Sequence, residues 1–204
     1  MIVRQIKVGP MENFAYILGC EKSGEAAIID PGFEAKKLLE MASEMMMKIV
    51  AVINTHGHRD HIAENRKIVS ETGAKVIAHE LATFAVDQYI KDREKFKIGD
   101  LTIETLHTPG HSPESICFIV IVEIIFTGDT LFVSECGRTD LPGGSNEDMY
   151  NSLVKIMRGM PDKLIVYPGH DYGPTKRSKM GIEKENNYTL EERTKDEFLK
   201  FMLN

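Results

Sequence analysis

Asn54-Thr55-His56-Gly57-His58-Arg59-Asp60-His61 is the stretch on which the reading of this chain turns. Three imidazoles and a carboxylate fall between His56 and His61. The run before it, Ile49-Val50-Ala51-Val52-Ile53, is apolar and rich in β-branched residues, which predicts a buried strand. Ile62 to Thr72 reads as a helix closed by Gly73. The loop therefore leaves the end of a strand and enters a helix, the place where α/β proteins build their sites. Imidazole nitrogen and carboxylate oxygen are ligands favoured by zinc, iron and manganese, and one regular helical face cannot present them at this density. A bent loop can aim alternate residues at two neighbouring ions.

A His-rich loop that is only a solvated connection needs no partners elsewhere in the chain. This one has them: His111 follows Thr108-Pro109-Gly110, Asp129 follows Thr127-Gly128, and His170 follows Pro168-Gly169. Each stands after an apolar strand and a glycine, a residue that lets the backbone turn sharply and come close to an ion. The two remaining histidines, His79 and His107, lie near strand ends and read as ordinary packed residues, His107 being also close enough in sequence to support His111.

Outward from the loop, short strands are expected at Ile2 to Val8, Phe14 to Leu18 and Ala26 to Ile29, with Asp30-Pro31-Gly32 ending the third. Glu34 to Met47 carries apolar residues at helical spacing, and its Met45-Met46-Met47 run reads as flexible filling for core gaps. After the loop come a strand at Lys75 to Ala78, a helix at Glu80 to Tyr89, and a hairpin of Phe96 to Ile98 and Leu101 to Leu106 turning at Gly99-Asp100. Strands at Ile116 to Ile121 and Ile124 to Phe126, a helix at Asn146 to Met157, a strand at Leu164 to Tyr167 and a helix from about Leu190 to Met202 complete the pattern. Consecutive strands at both ends with βα units between them predict an α/β arrangement of mixed sheets with helices outside. Without a linker, repeat or low-complexity segment, residues 1–204 are expected to form a single domain with a short C-terminal helical tail.

Composition narrows the function. With 31 acidic against 25 basic residues the net charge is −6, so the molecule offers no broad positive field to nucleic acid. Cys20, Cys117 and Cys136 are odd in number and widely spaced, which argues against a disulfide framework and for a reducing cytoplasm. Arg4, Lys7 and Glu12 interrupt the N-terminal stretch where an export signal would be apolar. The longest apolar run, Ile116 to Phe126, is broken by Glu123 and is too short for a membrane helix. Oligomeric state is not encoded in any of these features.

The order H-x-H-x-D-H, lone His, lone Asp, last His resembles the metallo-β-lactamase superfamily over most of the chain. That resemblance implies an αββα sandwich with two divalent metal ions at one edge, Zn²⁺ before Fe or Mn. It assigns His56, His58 and His111 to the first ion, Asp60, His61 and His170 to the second, and Asp129 to both. The zinc β-lactamases carry a cysteine where this chain has Asp129, and the flavodiiron proteins a glutamate at the place of His58, so both groups are disfavoured. RNA-processing members are longer, with extra domains or arms.

Thr127-Gly128-Asp129-Thr130-Leu131-Phe132 and Cys136-Gly137-Arg138-Thr139-Asp140 are similar to glyoxalase II and to the persulfide dioxygenases. The resemblance makes Arg138 and Tyr172 candidate substrate contacts, although Arg138 could instead pair with Asp140 or Glu147. Glyoxalase II continues into a long helical domain, whereas only 34 residues follow His170 here (204 − 170). Arg59 and Glu114 also depart from the usual pattern. The implied activity is hydrolysis of a small-molecule thioester through a hydroxide bridging the metals, with Asp60 orienting it or taking a proton. The alternative is a single Fe(II) on His56, His111 and Asp129 that oxidises a persulfide. A non-catalytic metal-binding module would be expected to lack a ligand, and none is lacking.

Overall fold

Alternation along the strands decides the layering. The computed structural model describes residues 1–203, with backbone alone at positions 155 and 156. Its first sheet runs in the order β1 (Ile2–Val8), β2 (Asn13–Cys20), β3 (Glu25–Ile29), β4 (Lys48–Ile53), β5 (Lys75–His79), β6 (Gln88–Ile90). β1 to β3 pair antiparallel, and β3 to β6 pair parallel. The second half of the chain supplies β7 (Lys95–Ile98), β8 (Leu101–His107), β9 (Ile116–Val120), β10 (Ile124–Gly128), a small ribbon of β11 (Leu131–Phe132) and β12 (Glu135–Cys136), then β13 (Ile165–Pro168) and β14 (Ser178–Lys179). The second sheet is ordered β14-β13-β10-β9-β8-β7, with β10 and β13 its parallel pair.

β2 is buried along its whole length because both of its faces are covered. Phe14, Tyr16, Leu18 and Cys20 face the second sheet, where they join Ile103, Phe118, Val120, Phe126 and Tyr167. Ala15 and Ile17 face the other way, against Leu38 and Ala42 of α1 (Ala35–Glu44). The first sheet's outer face is also covered by α3 (Asn65–Thr72), which follows the short α2 (Arg59–Ile62). The second sheet's outer face packs against α4 (Asn146–Tyr150) and the helical turns that continue it, α5 (Met180–Asn186) and α6 (Lys195–Phe201), through Met149, Leu153, Met157, Met180 and Phe198. Helix, sheet, sheet, helix is the αββα order expected. Among the described residues no helix is long and apolar enough to cross a membrane.

Several boundaries differ from the sequence expectations. Residues 80–87 are turns rather than a helix, and Gln88–Ile90 pairs with β5 as a strand. Leu81 is exposed while Phe84 and Val86 pack against the first sheet's outer core, and the Asp87 carboxylate accepts the Val76 amide at 2.8 Å and pins the extended backbone. The helix expected to Met47 ends at Glu44, and Met46 sits in the left-handed region (φ 54°) and is 88% exposed, so it fills no core gap. The helix expected from Ile62 begins only at Asn65, the end of the expected loop forms the short α2 (Arg59–Ile62), and the helix expected from Leu190 begins only at Lys195. His79 and His107, the last residues of β5 and β8, stack on each other at 4.0 Å.

Candidate metal centre

All seven residues singled out in the sequence meet at one edge of the sandwich. His56 and His58 lie in the loop after β4, Asp60 and His61 in α2, His111 after β8, Asp129 after β10 and His170 after β13. The ligand atoms of His56, His58 and His111 lie within 4.8 Å of one another, and so do those of Asp60, His61 and His170. His58 Nδ1 is 2.8 Å from His111 Nε2, and His61 Nε2 is 3.2 Å from His170 Nε2. Asp129 stands between the groups. Its Oδ2 is 3.3 Å from His170 Nε2 and 3.5 Å from His111 Nε2, while its Oδ1 is 3.5 Å from His61 Nε2.

The donor set fits metal ions. His56 Nε2 and Asp129 Oδ1 are fully buried without a hydrogen-bond partner, a costly condition that a cation would relieve. Imidazole nitrogens facing each other at hydrogen-bond distance present their lone pairs to common points. The opposite nitrogen of most rings is tethered, which fixes the free one. His111 Nδ1 donates to the Arg138 carbonyl at 2.7 Å and His170 Nδ1 to the Met11 carbonyl at 2.9 Å. His61 Nδ1 donates to Asp30 Oδ2 at 3.2 Å, and His56 Nδ1 to the Thr55 hydroxyl at 3.0 Å.

Two residues that sequence reasoning missed hold this arrangement. Asp30 is buried in the left-handed region (φ 50°), and it accepts the Thr55 amide and hydroxyl at 2.8 and 2.6 Å as well as the His61 ring. It therefore orients His61 directly and His56 through Thr55. Its only signal in the sequence is its place before Pro31-Gly32, which marks a strand end. Asn13, at the start of β2, donates to Asp60 Oδ2 at 2.8 Å and has its own Oδ1 buried and unpartnered. Nothing in its sequence context marks it.

Protein charges set the protonation of the cluster. Burial pushes His56 well below its ordinary value, helped by the neighbouring His61, so it stays neutral and able to ligate. Burial favours a neutral Asp129, yet His61 above all, with His170 and His56, holds it well below the usual carboxylate range. Burial likewise opposes ionisation of Asp60, but His61 and Asn13 overcome it. His61 goes the other way: burial lowers it, and Asp129, Asp30 and Asp60 together raise it well above an ordinary histidine. A cation taken up at His61 would therefore displace a proton.

The cluster opens into a cavity of about 430 Å³ that Tyr172 and Arg138 also line. The Tyr172 ring stacks on His170 at 4.6 Å and is 54% exposed, at the mouth. Arg138 is forked on Asp140, at 2.5 and 2.6 Å, while Glu147 pairs with Lys195 instead. Glu114 accepts the Gly57 amide at 2.9 Å and so braces the metal loop from outside. Cys136 is buried in the same wall, its thiol pushed up to about 12 by burial and Glu135. Gly169 leaves room where a Cβ would lie 2.2 Å from Asp129 Oδ1.

The family model described as "Metallo-beta-lactamase superfamily" matches residues 8–170. The chain is similar to a hydroxyacylglutathione hydrolase of Polaromonas sp. (strain JS666 / ATCC BAA-500), 38% identical over 179 residues, covering 84% of this chain and 67% of that protein. It is also similar to the mitochondrial persulfide dioxygenase ETHE1 of Homo sapiens, 31% identical over 207 residues, covering 100% of this chain and 81% of that protein. The crystal structure of ETHE1 from Myxococcus xanthus superposes with a TM-score of 0.95 at 31% identity, covering 100% of this chain and 91% of that one. The chain thus spans about two thirds of the length of the hydrolase.

Proposed function

We propose that this chain, which belongs to the metallo-β-lactamase superfamily, is a binuclear metal-dependent hydrolase of small-molecule thioesters. The observation that carries the reading is the arrangement of donors: of three overlapping three-residue groups, two share no residue and have Asp129 between them. His56, His58 and His111 would hold one ion, Asp60, His61 and His170 the other, with Asp129 shared. Two divalent ions, zinc in the first instance, would supply an activated water near neutral pH and polarise the substrate carbonyl.

The remaining steps belong to the chain's own residues. Asn13 fixes one oxygen of Asp60, leaving that carboxylate oriented to hold or accept a proton from the attacking water. The water oxygen adds to the carbonyl carbon, the C–S bond breaks, and the proton passes to the departing thiolate. Tyr172 at the mouth offers a hydroxyl and a ring face to the thiol portion. Arg138, neutralised by Asp140, offers that portion a paired rather than a free charge. Three buried, unpaired cysteines accord with a reducing, cytoplasmic setting.

A second reading has its own support in the whole-length likeness to persulfide dioxygenases. There, His56, His111 and Asp129 would serve one iron. Elemental analysis of the purified protein, with parallel assays of thioester hydrolysis and persulfide-dependent oxygen uptake, separates the two. Two ions per chain with hydrolysis supports the hydrolase; one iron with oxygen uptake replaces it.

A further inference from the structure

Of the eight arginines in the sequence, five are engaged. Arg93, Arg138, Arg158 and Arg193 pair with carboxylates, and Arg177 donates to the Tyr167 hydroxyl. Arg4, Arg59 and Arg66 have no hydrogen bond or ion pair among the described residues. Two of these three line one cavity of about 570 Å³, together with the apolar Ile62 and Phe84. A free guanidinium is a planar fork matched to a carboxylate, and two of them over an apolar floor suit a chain ending in an anion.

A third hollow lies between this cavity and the metal centre. A hollow of about 460 Å³ shares Met11 and Asp60 with the metal cavity, and Arg59 and Ala63 with the outer one. Arg59 stands between the ligands His58 and Asp60 but lines the opposite side of the loop from Arg138 and Tyr172. Gly57 permits the close seat of the floor, since a Cβ there would lie 3.1 Å from the Phe84 ring and 2.9 Å from Glu114 Oε1. A thioester held at the metal centre with its thiol portion toward Tyr172 would have this trough, which Glu64 also lines, open to its acyl chain.

We infer that Arg59 and Arg66 form an anion site for the far end of the acyl group, so that the favoured substrates are thioesters of dicarboxylic acids. The inference rests on the hydrolase reading and narrows its substrate class. The net charge of −6 makes the point sharper, because two unpaired cations beside the active site work against the overall repulsion of an anionic substrate.

The test compares glutaryl and butyryl thioesters of the same thiol, in the wild type and in Arg59→Gln and Arg66→Gln, as the ratio of the two kcat/KM values. The ratio cancels any general loss of active enzyme. In the wild type it favours glutaryl, and each substitution lowers it about tenfold, the effect of one lost charge-assisted hydrogen bond. Equal ratios in wild type and variants overturn the inference and leave the hydrolase standing. Calorimetric titration of the metal-loaded protein with free glutarate is the second readout. If neither thioester is cleaved, the hydrolase reading falls and the titration decides alone: weaker glutarate binding in both variants upholds the anion site, and unchanged binding removes it.

Discussion

Asp30→Asn tests whether the ring tethers, and not the ligands alone, make the metal centre. The carboxylate takes the Thr55 amide on Oδ1, and the Thr55 hydroxyl and His61 Nδ1 on Oδ2. Asparagine keeps the size and the Oδ1 acceptor but puts an NH₂ where Oδ2 stood. That NH₂ can donate to Thr55, whose hydroxyl oxygen has lone pairs to spare. It cannot accept from His61, so two donors face each other at 3.2 Å. The ring escapes by moving its proton to Nε2, which blocks the atom that faces His170. Loss of such an outer partner typically costs 10–100-fold in metal affinity, or ~1.4–2.8 kcal/mol. On the proposed assignment the loss should be larger for an ion at Asp60, His61 and His170 than for one at His56, His58 and His111, which Asp30 reaches only through Thr55. Competition with a chromophoric chelator reads both affinities, and circular dichroism checks that the fold survives. Two ions bound with wild-type affinity would refute the reasoning.

Gly169→Ala places a Cβ 2.2 Å from Asp129 Oδ1, so the shared carboxylate must turn away, and elemental analysis should find fewer than two ions per chain with the protein still folded. Phe198→Ala empties a fully buried ring site beneath α6 and should cost ~3–5 kcal/mol in denaturant unfolding; a loss under about 1 kcal/mol would mean that α6 does not dock as described. His79 is lowered by burial and then by His107, so below about pH 6.5 the unfolded chain takes up a proton that the folded chain refuses. Its stabilising contribution is present above that pH and is lost as the pH falls through the folded value. Unfolding midpoints at pH 7.5 and 5.5 should therefore differ less in His79→Asn than in the wild type.

The convergence of the seven candidate residues was legible because the information lies in residue type and position: a donor side chain just past an apolar strand. Asp30 and Asn13 were not, because their work is a hydrogen bond to another side chain, and an Asp before Pro-Gly or an Asn at a strand start serves many local purposes. The layering was legible in β2, β9 and β10, whose unbroken apolar runs required cover on both faces. α5 was missed for the opposite reason. Its inner face carries Glu183, buried to 1% exposure, which accepts the Ser134 amide at 2.7 Å and Asn187 Nδ2 at 2.9 Å. A helix held by a buried polar residue has no apolar stripe to read. The Glu80 to Tyr89 stretch failed differently, since its apolar residues satisfy helical spacing but the backbone bonds of β5 and Asp87 decide its shape.

The two donor groups have a property that no list of ligands conveys: each draws on both sheets. His56 and His58 follow β4 of the first sheet and meet His111 after β8 of the second; Asp60 and His61 follow β4 and meet His170 after β13. Either ion would straddle the seam, so its binding energy is reduced by whatever work is needed to bring the sheet edges into register. The protein does that work beforehand. The Phe14 amide reaches the Gly169 carbonyl at 2.8 Å, His170 is bonded to the Met11 carbonyl, and Asn13 holds Asp60, all between the β1–β2 corner and residues of the site. Donors already converged lose little conformational freedom on binding. Substitutions at Met11 to Phe14 that disturb this corner should therefore weaken metal binding even though none of these residues is itself a ligand.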